Sequence, residues 1–191
     1  MPPLQAEMWA YGVLVVVLVA AAIDDIRTSK IHNWITYPAV LAGLIGHCFG
    51  GTDLHGRPLG FVAALVGLMV GFGPMFIAWR AGGVGGGDAK LMGAVGALAG
   101  WEFALGSLFY GFAVAGVMAI FVMLRRRITK RTLGRIWRFL WLLMIRTKPS
   151  DPSEADSPTI AVGLALAIGA ALELIDVLFD GPVTKLLFGV G

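Results

Sequence analysis

Charge is scarce in this chain. Asp, Glu, Lys and Arg make up 14% of its 191 residues, against 58% hydrophobic residues, and the mean hydropathy is +0.81. A soluble domain carries about 25% charged residues, so a water-exposed globular fold is a poor fit. Cysteine is nearly absent. The single Cys48 excludes a disulfide framework and a multi-cysteine zinc site, and within its apolar stretch it reads as a small buried hydrophobe. No Lys or Arg precedes Arg27, so the first apolar block lacks the basic flank of a cleaved signal peptide and reads as a retained span. The three histidines, His32, His47 and His55, have no ligand spacing, and no metal site is expected. The apolar blocks lack the period-2 alternation of barrel strands, and no internal repeat is visible.

What the chain does have is long apolar runs. They lie at Glu7–Ile23, Trp34–Gly50, Leu59–Trp79, Asp88–Gly100, Phe103–Leu124 and Thr159–Phe179. A helix needs about 20 apolar residues to cross the hydrocarbon, and in lipid each backbone group must be bonded within its own segment. The expectation is an all-α, polytopic membrane helix bundle of about six transmembrane segments, forming one membrane-embedded domain over residues 1–191. The fourth run is short and rich in Gly and Ala, which places it shielded among its neighbours. Joining it to the fifth would put Gly100, Trp101 and Glu102 at mid-membrane.

Basic residues orient the bundle. With the N-terminus outside, thirteen of the fifteen Lys and Arg fall in cytoplasmic connections, leaving Arg57 and Lys185 outside. This is the positive-inside bias, and an odd number of spans would destroy it. Nine of the thirteen lie between Arg125 and Lys148. There they alternate with Leu133, Ile136, Trp137, Phe139 and Leu140, the pattern of an interfacial helix on anionic lipid. The proline-containing, acidic stretch Lys148–Pro158 reads as a linker, so 125–158 forms a cytoplasmic basic helix and linker.

Acidic residues within or beside membrane spans are costly and tend to be functional. On the cytoplasmic side, before the linker, they occur at two places: Asp24-Asp25 at the end of the first run, and Asp88 at the start of the fourth. The topology brings both to one face at one depth. Adjacent helical residues point about 100° apart, so only one of Asp24 and Asp25 is expected to face Asp88. The approach Gly82-Gly83-Val84-Gly85-Gly86-Gly87 permits tight turns and close passage of another segment. Taken alone, Asp88 also fits an ordinary helix cap. The Lys-Ser/Thr ending of a phosphate-binding loop is missing. Glu173, Asp176 and Asp180 read as a polar edge at the outer end of the last run.

Gly85-Gly86-Gly87-Asp88 followed by Lys90 resembles the GxGDxK signature of the type IV prepilin peptidases. Asp25-Ile26-Arg27-Thr28-Ser29-Lys30-Ile31-His32-Asn33 is similar to that family's D-(L/I)-R-x-x-x-I-P-N stretch, with His32 where the family has proline. Pro158 to Gly163 resembles the start of the family's last helix. The resemblance implies a GxGD-type aspartic protease with Asp25 and Asp88 as the catalytic pair. It selects Asp25 over Asp24 by the offset to Ile31 and Asn33. Gly85, Gly87, Lys90, Arg27 and Lys30 are the implied supporting or substrate-binding residues, although Lys90 equally fits a snorkelling interfacial lysine.

The implied substrate is a prepilin with a basic leader and an apolar helix, cleaved at the cytoplasmic boundary of the bacterial inner membrane. Membrane lipids are the other expected partner; no cofactor and no nucleic acid are expected. The cysteine-rich cytoplasmic region of the larger members is absent, which points to the short form associated with Flp-type, tight-adherence pili. Two other readings fit parts of the pattern. A small proton-coupled transporter would want its acids at mid-bilayer and two-fold sequence symmetry; a non-catalytic pilus assembly partner would keep the fold alone.

Overall fold

The structure, a computed structural model, describes residues 8–49, 60–125 and 162–178. It is all-helical over these residues: α1 (Met8–Thr28), α2 (Asn33–Gly46), α3 (Phe61–Arg80), α4 (Gly86–Ala99), α5 (Trp101–Arg125) and α6 (Val162–Leu178), with a 3-10 turn at His47–Phe49 after α2. Six helices thus stand where the six apolar runs lie. Three of them, α1, α3 and α5, are long and apolar enough to cross a membrane. The expected basic helix and linker falls outside the described residues except for Arg125, as do His55, Arg57, Asp180 and Lys185. Two compact units divide the chain, residues 1–115 with 161–191 and residues 116–160. The first contains α1 to α4, the N-terminal part of α5, and α6; the described part of the second is the rest of α5.

Helix ends differ from the hydropathy edges, because hydropathy locates the apolar boundary and hydrogen bonding locates the helix. α1 runs five residues past Ile23, to Thr28. Its last turn is closed by the Thr28 hydroxyl donating to the Asp24 carbonyl at 2.9 Å. Ser29, at φ +52°, then leaves the helix and donates its N–H to Asp25 O. The fourth and fifth runs are separate helices. Gly100 sits between them at φ +90°, a left-handed conformation that a side chain disfavours.

α4 is the centre of the first unit. It packs on α1, α2, α3 and α6, and its residues from Asp88 to Ala99 are buried apart from the half-buried Lys90. In lipid, burial of apolar side chains gives helices no reason to associate; close packing of small residues does. That is how α4 is held. Gly67 and Gly71 of α3 lie against the backbone of Gly96 and Met92, and Gly43 of α2 lies against Ala97. The Gly- and Ala-rich composition of the fourth run is therefore its packing surface against α2 and α3.

Two side chains depart from the sequence reading. Cys48 is exposed rather than buried, because the 3-10 turn directs the buried His47 inward, with its Nε2 3.0 Å from the Leu98 carbonyl, and leaves Cys48 on the outside. Glu173 and Asp176 form no polar edge. They are 2% and 8% exposed, since Gly106 of α5 has no side chain and the Glu173 carboxyl lies over it. The Tyr110 hydroxyl donates to Asp176.

Candidate active site

Three helix ends meet at one end of the first unit: the last turns of α1, the first turn of α4 and the first turn of α6. Asp25 lies one turn before the end of α1 and is 5% exposed. Its Oδ2 accepts a hydrogen bond from the backbone N–H of Leu164 at 2.8 Å. Asp88 is the third residue of α4 and 7% exposed. The N-cap of α4 is Gly85, not Asp88, and the Asp88 side chain turns back so that Oδ2 accepts the Gly85 N–H at 3.0 Å. The N-terminal amides of a helix lack intrahelical acceptors. Asp88 satisfies one on its own helix, and Asp25 satisfies one on a helix 139 residues away.

The separation of the carboxylates follows from Gly163. A Cβ on this residue would lie 2.9 Å from Asp25 Cγ, 2.9 Å from Asp88 Oδ1 and 2.8 Å from Ile31 Cδ1. The Asp25 carboxyl carbon and that Asp88 oxygen therefore lie no more than twice 2.9 Å apart. Two carboxylates this close repel one another when both are ionised.

The α1–α2 connection forms the remaining wall. Ile31 is buried and passes so near α4 that a Cβ on Gly87 would stand 2.7 Å from the Ile31 carbonyl oxygen. Gly87 is thus required by close approach, while a Cβ on Gly85 would meet only Asp88 Oδ2, at 3.0 Å. Lys90 Nζ donates to Asn33 Oδ1 at 2.7 Å and lies 5.0 Å from the centre of the Tyr37 ring, so it ties the start of α4 to the start of α2. Arg27, in the last turn of α1, and Lys30, on the connection, are exposed. Asp24 turns away from the pair: its Oδ2 accepts the His32 N–H at 2.9 Å and lies 2.7 Å from His32 Nδ1. Among the described residues no group of three or more His, Cys, Asp or Glu side chains is placed to hold a metal ion.

Residues 12–120, more than half of the chain, match the type IV leader peptidase family. The chain belongs to this family. The peptidase is accordingly a hydrolase of peptide bonds, embedded in the membrane through its apolar helices. No curated protein and no solved structure gives a significant match. The matched region of the peptidase contains Asp25, Arg27, Lys30, Gly85, Gly87, Asp88 and Lys90; α6 lies beyond it. Reading the sequence missed Gly163 and the Leu164 amide. The only available signal was the family-like stretch from Pro158 to Gly163, which marks a helix start and says nothing of what the helix touches.

Proposed function

We propose that the protein is a membrane-embedded aspartic endopeptidase that removes the basic leader of Flp-type prepilins, with Asp25 and Asp88 as its catalytic pair. The observation that carries this reading is the convergence of the two buried carboxyl groups beside Gly163. Each has Oδ2 fixed by a backbone N–H, which orients the group and leaves its other oxygen for chemistry. With one proton shared between them, the ionised carboxylate takes a proton from water as the water attacks the scissile carbonyl. The protonated partner donates to the developing oxyanion, and the proton held by the first then passes to the leaving amine. Which aspartate begins as the base is a property of the pair.

The site faces the cytoplasm of a bacterial inner membrane in this reading, where a prepilin's basic leader meets its apolar helix. In this reading the exposed Arg27 and Lys30 face an acidic group of the substrate, whereas Lys90 is engaged with Asn33 and Tyr37 and holds the two helix starts together. The test is cleavage of a co-expressed prepilin by Asp25→Asn and Asp88→Asn. Each is expected to lower kcat by about 10³-fold, within the usual range for loss of a general acid or base, with normal membrane levels of protein. Wild-type cleavage by either variant would overturn the assignment.

A further inference from the structure

The residues of α6 lie outside the region that matches the family, yet α6 reaches both carboxyl groups. We infer that its first turn is a third part of the catalytic site, in which Gly163 and the Leu164 amide are positioning residues that seat Asp25 against Asp88. The inference rests on the reading of Asp25 and Asp88 as the catalytic pair.

Two independent contacts carry it. The Leu164 N–H holds one oxygen of Asp25 at 2.8 Å. It lies in the first described turn of α6, toward the positive end of the helix dipole, so the bond orients the carboxylate. Gly163 supplies the second contact by lacking a side chain. The place of its missing Cβ is bounded by Asp25, Asp88 and Ile31. Even a methyl group there would press on both carboxyls at once, where real Cβ atoms almost never come so near.

α6 contains its own control. Gly169 also sits at a tight contact, but its missing Cβ faces the Gly111 backbone and the Ser107 carbonyl of α5. Gly169 is a packing glycine: enlarging it separates two helices. Enlarging Gly163 displaces two acids. Displacing a reacting group by ~1 Å can cost about 10²-fold in rate, so the two substitutions have different signatures.

The experiment measures kcat and KM of purified, detergent-solubilised enzyme on a synthetic prepilin segment comprising a basic leader and an apolar helix. Gly163→Ala is expected to lower kcat about 100-fold with KM unchanged within about threefold. The Leu164 pair separates the amide from the side chain. Leu164→Ala keeps the N–H and sets the effect of losing the side chain alone; Leu164→Pro, a substitution the first turn of a helix tolerates, also removes the donor and is expected to have a kcat about 100-fold below that of Leu164→Ala. Gly169→Ala lowers the yield of folded protein and leaves kcat per folded molecule unchanged. Equal kcat for Leu164→Pro and Leu164→Ala would overturn the inference even if Gly163→Ala fails to fold, as would wild-type kcat for Gly163→Ala. With Asp25→Asn and Asp88→Asn inactive in the same assay, either result leaves the catalytic pair standing. Activity in those aspartate variants would instead remove the pair, and the role of α6 with it.

Discussion

Asp24 and Asp25 are chemically identical neighbours placed in different surroundings by the helical turn between them. Asp25 is buried against the start of α6. Asp24 faces the α1–α2 connection, where one of its oxygens meets both the backbone N–H and the ring nitrogen of His32. His32 stands where the family pattern has proline, and proline could make neither contact, having no N–H and no imidazole. The pair therefore belongs to the connection and not to the chemistry. Asp24→Asn is expected to retain kcat within about a factor of three, the scale of substitutions away from packed or reacting groups, whereas Asp25→Asn is expected to lose about 10³-fold; the same prepilin cleavage assay measures both. A loss of activity in Asp24→Asn matching that of Asp25→Asn would contradict the geometry. The sequence could separate the two residues because their offset to Ile31 and Asn33 is local. It could not single out Gly163, because Val162-Gly163-Leu164 looks like any small-residue turn in an apolar helix. The groups that make this glycine matter come from positions 25, 31 and 88.

At the scale of elements, each part of the site is presented by a segment held for a different physical reason. α4 is fixed by small-residue packing on α2 and α3, and the α1–α2 connection by the burial of Ile31 over Gly87. The order of the helices among the described residues was legible because apolar runs of this length have few other uses. The inward face of α6 was less so. Acidic residues near a span's end suggest a polar edge, yet Glu173 and Asp176 are three residues apart and share the face that meets α5 at Gly106 and Tyr110. Helical spacing from Gly169 to Glu173 was the signal that would have placed them inside. The α1–α2 connection also carries a prediction. Arg27, in the last turn of α1, and Lys30, on the connection, are both exposed, and the role proposed for them is in binding substrate. The variant Arg27→Ala/Lys30→Ala is expected to raise KM for a prepilin about three- to tenfold with kcat unchanged, as loss of one or two screened ion pairs implies. An unchanged KM would remove both residues from substrate binding.

At the scale of the whole molecule, the proposed function requires the membrane to put the site where a prepilin's leader ends. In the first unit the end of α1 and the start of α4 share one end of the bundle, because Gly163 touches an acid from each. That contact constrains topology more tightly than hydropathy does. Two groups that meet cannot lie on opposite sides of the bilayer, so the α1–α2 and α3–α4 connections must open on the same side. In the proposed orientation, which the bias of thirteen basic residues supports, that side is the cytoplasm. The chain's one native cysteine, Cys48, is exposed, so labelling begins from a Cys48→Ser background. Single cysteines are then placed at Ser29, which leaves α1, and at Gly83, whose Cβ would meet nothing closer than 3.4 Å. A membrane-impermeant maleimide is expected to modify both positions in inside-out vesicles and neither in intact spheroplasts. Modification of the two from opposite sides would be incompatible with their acids meeting at Gly163. Modification of both from the outside would keep the pair together but turn the peptidase away from the leader it is proposed to remove.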